Sequence, residues 1–164
     1  FIRSVISKHD YSVLLVPHVA PLDGAARNND EIFMATILDE LADVRDRVGM
    51  VPSGKNAPEL KYIISQCRFF IGARTHATIA AFSTAFDHLD CLQREGKRLN
   101  RDLFDTERYV LETPKVACAS LQHSFELLIQ DEQLIRDCLA QRMPLWRKRA
   151  TAGAEWLDHK LQRV

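Results

Sequence analysis

Arg74, Thr75 and His76 arrive together, directly after the small pair Gly72 and Ala73 and the apolar run Phe69, Phe70, Ile71. A guanidinium offers a planar fork of donors that fits a phosphate or carboxylate. An imidazole exchanges protons near neutrality. A threonine at a helix start caps it, and the free N–H groups of the first turn attract an anion. Together the three point to a site that holds an anion, a phosphate above all, and moves a proton beside it. Each alone has an ordinary explanation, since arginines pair with carboxylates and histidines sit satisfied in interiors. Their meeting at one turn marks the site.

To converge, these side chains need a strand that turns sharply into a helix. Phe69–Ile71 suits a buried strand, and the small apolar stretch from Ala77 through Phe82 suits a helix, which Thr75 would cap. Upstream, Ser12–Val16 reads as a buried strand closed by Pro17, which puts His18 at its carboxyl edge. Asn29 or Asp30 caps a helix running to about Arg47, with Phe33, Ile37, Leu41 and Val44 on its buried face. Val48–Val51 is the next strand. Asn56 caps the helix Pro58–Gln66, with Pro58 in the first turn and Glu59 completing a capping box. The SGK stretch lacks the glycine spacing of a phosphate loop, so Lys55 is expected in solvent. The alternation predicts an α/β, Rossmann-like three-layer domain with a mostly parallel sheet. Its strands end at His18, near Ser53 and at Arg74, on the edge where such sheets bind ligands. His18 and Asp30 thereby join the candidates.

The run IISQCRFFIGARTHATIAAFS resembles the signature segment of the polysaccharide pyruvyl transferase family, whose C-terminal domain carries a Gly-x-Arg-x-His turn after a buried strand. The VPH and NND pieces and the ELKYII helix fit the same family. The resemblance runs from about Ser12 to Ser83 and returns weakly around NRDLF, ERYVL and the tail. It implies the C-terminal half of a two-domain GT-B-like fold. It also implies transfer of the enolpyruvyl group of phosphoenolpyruvate to a sugar of a cell-surface polysaccharide or its precursor, giving a pyruvate ketal and phosphate. By resemblance Arg74 matches the family's donor-binding position and His76 its catalytic acid; Thr75, His18 and Asp30 join Arg74 as substrate-binding candidates through their place at the same edge. The implied partners are phosphoenolpyruvate as donor substrate, with no further cofactor, a glycan or lipid-linked glycan acceptor, and an N-terminal domain outside this chain. The implied place is the cytoplasm, peripheral at the inner face of the membrane, and the chain alone is expected to be inactive. Two other readings stay open: the nucleotide-sugar-binding domain of another GT-B glycosyltransferase or epimerase, and a degenerate, non-catalytic α/β domain.

The 164 residues suffice for a single domain, 1–164, and the 22 basic and 22 acidic residues cancel. That balance gives no electrostatic footprint for nucleic acid. Cys67, Cys91, Cys118 and Cys138 form no CxxC pair and are expected as reduced, mostly buried thiols. His9, His88, His123 and His159 show no ligand spacing, so no metal site is expected. No apolar run is long enough to span a bilayer.

One segment, 85–99, is anomalous. A buried strand is due after Thr84, yet Ala85–Leu99 is charged and lacks alternation, so the segment is expected to be poorly ordered or helical and the sheet to lack its next strand there. Compensating frame changes near Ala85 and Asn100 would account for the departure. Beyond it, Arg108–Leu111 reads as a short strand and the region of Ser120 as a helix start, with Leu121, Phe125 and Leu128 on one face. A helix from about Asp131 to Gln141 follows. Then Pro144 opens a separate last helix, Leu145–Leu161, that leaves Trp156 partly exposed.

Overall fold

The computed structural model describes residues 1–21, 25–84, 91–93, 106–111 and 116–161, with the backbone alone at 91–93 and at Leu157. The first helix, α1 (Ile2–His9), buries Val5, while Ile2 and Ile6 lean on a cluster formed by Leu38, Leu41 and Val48. Asp10 ends it in the left-handed conformation, φ 56°. Strand β1 (Val13–Leu15) follows.

Helix α2 (Asp30–Glu40) opens on Asn29, whose side chain accepts the N–H groups of Glu31 and Ile32. A cap of this kind is worth about 1 kcal/mol. The single helix expected to reach Arg47 is corrected here: a 3₁₀ stretch, Ala42–Arg47, takes over, with a kink at Val44. The turn is held from outside. Arg47 donates to Asp10 and to the Ser12 hydroxyl, and Arg45 to the Val48 carbonyl. These bonds bring the chain back beside β1. The buried face shifts with the break: Leu38 and Leu41 are buried, and Phe33, expected inside, is 65% exposed.

Strand β2 (Val48–Met50) pairs with β1 in parallel, Val13 opposite Val48 and Leu15 opposite Met50. Helix α3 (Ala57–Ser65) carries the expected capping box, with the Asn56 side chain accepting the Glu59 N–H and Glu59 accepting the Asn56 N–H, both at 2.9 Å. Strand β3 (Phe70–Gly72) leads into α4 (Thr75–Thr84). Gly72 matters locally, because a Cβ there would collide with the Phe70 ring.

Two expectations about the sheet are corrected. Strand β4 (Cys91–Gln93) lies within the segment 85–99, where no strand was expected, and pairs in parallel with β3. Charge lowers strand propensity, but the free edge of β3 supplies backbone partners regardless of side chain. The rest of that segment lies outside the described residues. Second, β1–β2 and β3–β4 are two separate pairs, not one continuous sheet. The architecture is α/β and mostly helical, with parallel strands.

The C-terminal third packs onto these elements. Arg108–Leu111 is not a strand: Glu107–Tyr109 is a 3₁₀ turn. Tyr109, 1% exposed, donates its hydroxyl to Asp131 at 2.8 Å, and Arg108 donates to the same hydroxyl. That anchor overrides the local strand preference. Helix α5 (Cys118–Gln130) buries Ser124, Phe125 and Leu128. Helix α6 (Glu132–Leu161) is continuous, so Pro144 lies inside it and does not open a new helix. An interior proline forfeits a backbone bond and costs about 3 kcal/mol. The packing of Ile135, Leu139, Met143 and Trp146 on the main core, both before and after Pro144, offsets this cost. Phe125 is the hub of an aromatic group, meeting Phe1, His9, Tyr11 and Phe69 at ring centroids 5.3–6.4 Å away. Trp156 is 63% exposed. Cys67, Cys118 and Cys138 are in no disulfide; Cys67 and Cys138 are half-buried, but Cys118 is exposed, against the expectation of mostly buried thiols. Burial pushes the Cys67 thiol up. Among the described residues no helix is long and apolar enough to cross a membrane.

Candidate functional site at the carboxyl edge of the strands

The loop after β1 and the turn after β3 are tied together by one carboxylate. Asp30, the first residue of α2, accepts the His18 and Val19 N–H groups on Oδ2 at 3.1 and 3.0 Å. Its own N–H donates to the Val19 carbonyl. The other oxygen, Oδ1, receives Nη2 of Arg74 at 2.8 Å. Both oxygens are thus engaged by the protein, and the Asp30 side chain is largely shielded while that of Arg74 is 45% exposed. Asn29, not Asp30, caps α2.

Arg74 is the last residue before α4, and its carbonyl accepts the Thr78 N–H at 3.0 Å. Thr75 is therefore the first helical residue and not the cap expected from the sequence. The N–H groups of the first turn have no carbonyl within the helix, and the dipole puts positive charge there. His76 is the second residue of α4 and is exposed. Ala77 and Thr78, immediately after it, are buried and hold the turn against the protein.

His18, Arg74, Thr75 and His76 line one cleft of about 680 Å³. Two lysines join them, Lys55 ahead of α3 and Lys61 on it. Sequence reasoning placed Lys55 in solvent and passed over Lys61. The available signal was position: Lys55 lies in the loop after β2, at the same sheet edge as His18 and Arg74, and Lys61 follows one turn into the next helix. Lys55 also stands 3.5 Å from the Glu59 carboxylate. Asp30 does not line the cleft; it holds three of the residues that do, His18, Val19 and Arg74.

Burial pushes the His18 imidazole below its ordinary value; the nearby Asp30 carboxylate opposes this and the Arg74 guanidinium adds to it. Its Nε2 is buried with no hydrogen-bond partner. Among the described residues no three His, Cys, Asp or Glu side chains gather as a metal site would need.

Fold and site define a class: an α/β domain with a cleft, bearing basic side chains, at the carboxyl ends of parallel strands. Within that class, the family model for polysaccharide pyruvyl transferase matches residues 1–85, just over half of the chain and all of α1 through α4. The chain belongs to the polysaccharide pyruvyl transferase family, and polysaccharide pyruvyl transfer is its activity at the level of that family. No curated protein and no solved structure gives a significant match to the chain.

Proposed function

We propose that this chain supplies the donor-binding part of a site that transfers the enolpyruvyl group of phosphoenolpyruvate to a sugar diol. Two sugar hydroxyls add to C2 of the enolpyruvyl group, the methylene carbon takes a proton to become methyl, and inorganic phosphate leaves with the second proton. The carrying observation is the gathering of Arg74, His76, His18, Lys55 and Lys61 around one cleft at the sheet's ligand-binding edge. Phosphoenolpyruvate bears a phosphate and a carboxylate. Arg74 uses one nitrogen on Asp30 and keeps the rest of its fork for such an anion. His76, exposed on the first turn of α4, is placed to transfer a proton. Asp30 acts as a brace that fixes Arg74 and the His18 loop. The donor is itself the reactive group, so no further cofactor is required.

The acceptor is a glycan or lipid-linked glycan of a cell-surface polysaccharide. In this reading a second, N-terminal domain of a GT-B-like fold closes over the cleft, so this chain alone binds anions without turnover. The enzyme works in the cytoplasm, peripheral to the membrane that carries its acceptor.

Calorimetric titration separates the alternatives. Phosphoenolpyruvate should bind and a uridine diphosphate sugar should not. The reverse order would favour a nucleotide-sugar domain. Binding of neither, with no phosphate release by the protein joined to its second domain, would leave a non-catalytic relative. Turnover by residues 1–164 alone would overturn the need for that domain.

A further inference from the structure

We infer that the outer half of α6, from Leu145 to Leu161, is a docking helix that lies on a membrane surface bearing anionic phospholipid headgroups. Beyond Trp146 the helix leaves the core, and every described side chain from Arg147 to Leu161 is exposed. Arg147 reaches back, donating to the Ser83 carbonyl at 2.9 Å. The rest of the helix shows no buried face among its described side chains. Helices in proteins owe most of their stability to a packed apolar face, so a stretch exposed all round calls for a partner outside the chain.

Charge indicates which partner. The chain as a whole is neutral, yet residues 142–161 hold five basic and two acidic side chains. At the α-helical repeat, Arg142, Lys148, Arg149, Trp156 and Lys160 all fall within about 60° of Leu145 around the axis. Glu155 and Asp158 fall about 80° and 140° away from it, on the far side. The face is therefore basic, free of acids, and set with two large apolar side chains, Leu145 at 50% and Trp156 at 63% exposed.

Such a face suits a lipid surface. Its basic groups meet headgroup phosphates, while leucine and indole enter the boundary between headgroups and acyl chains. Tryptophan favours that depth, and a lysine stem can sink beside it with the ammonium still in water. The Lys160 ammonium stands 5.6 Å from the centroid of the Trp156 ring, so charge and indole reach the surface together. A protein partner fits less well. The centres of protein interfaces are depleted in lysine, and a second copy would set like charges face to face. No residue of α6 lines the cleft, so the inference does not depend on the donor reading. It supplies the contact surface that a membrane-peripheral enzyme needs.

The test is co-sedimentation of the 164-residue chain with vesicles, in the absence of substrate. Vesicles with roughly one third phosphatidylglycerol should bind the chain, pure phosphatidylcholine vesicles should bind it far less, and added salt should release it. Each exposed basic residue on the face is worth about fivefold in partition, so Lys148→Gln, Arg149→Gln and Lys160→Gln combined should weaken binding about 100-fold. Trp156→Ala should weaken it about tenfold. All four side chains are exposed, so the variants should keep the parent's melting temperature. Absence of binding, equal binding to both vesicles, or a triple variant that binds like the parent overturns the inference. So does a loss in Lys61→Gln equal to that of the triple variant, since lipid phosphate would then sit in the cleft. Self-association of the chain that the triple variant alters would also overturn it, by assigning the face to a second copy.

Discussion

Arg74 and His76 stand two residues apart, but the geometry gives them different tasks. Arg74 is braced by Asp30 and meets an anion in ground and transition states alike. In the complete enzyme Arg74→Ala should chiefly raise KM for phosphoenolpyruvate, and Arg74→Lys, which keeps charge but loses the fork, should recover only part of it. His76→Ala should lower kcat by about 10²–10⁴-fold, the usual worth of acid–base help, and remove one limb of its pH profile. Steady-state kinetics against pH reads both; an unchanged profile in the His76 variant would refute its assignment. His18 offers a test in the chain as it stands. Its imidazole is held below the ordinary value, so the unfolded chain takes up the proton first as pH falls. The associated stability is present above about pH 6.5 and is lost as pH falls from there towards the folded-state value. Asp30→Asn removes the opposing charge and should depress His18 further, whereas Arg74→Gln should raise it. Histidine NMR titrations of the three proteins check the order.

Among the elements, the α3 capping box was legible because its determinants, Asn56, Pro58 and Glu59, are three residues apart at most. The first two strands and the turn into α4 were legible for a similar reason, each being a short apolar run ended by proline or small residues. The misread elements are those governed by distant partners. Glu107–Tyr109 follows a bond to Asp131, and the end of α2 follows Arg47 reaching Asp10. Helix α6 runs through Pro144 because the core holds it on both sides. Pro144→Ala restores the missing bond and should stabilise the protein by up to about 3 kcal/mol without moving the helix. Thermal melts and far-ultraviolet circular dichroism measure the two parts of that outcome.

At the scale of the molecule, the main core touches the cleft at Ala80. Val5, Ile64, Phe82, Tyr109, Phe125, Leu128 and Leu139 form one buried cluster that joins the first half of the chain to α5 and α6. Tyr109→Phe leaves the Asp131 carboxylate without its hydroxyl donor and should cost about 1–3 kcal/mol. Tyr109 does not itself line the cleft, so anion affinity should be unchanged. Denaturant unfolding beside calorimetric phosphoenolpyruvate titration checks the pair; a loss of affinity equal to the loss of stability would show that core and cleft are coupled.

The sequence by itself determined the strand–helix alternation from Ser12 to Ser83, the turn bearing Arg74 and His76, and the family, because apolar period, capping residues and turn chemistry are local and survive without knowledge of neighbours. Only the tertiary structure decided that Asp30 braces the site, that Lys55 and Lys61 share its cleft, and that a strand forms at Cys91–Gln93. The ion pair of Asp30 with Arg74 spans forty-four positions, and the pairing of β4 depends on the free edge of β3. Contacts of that range are set by which surfaces meet when the chain packs, and nothing in a local run of residues specifies them.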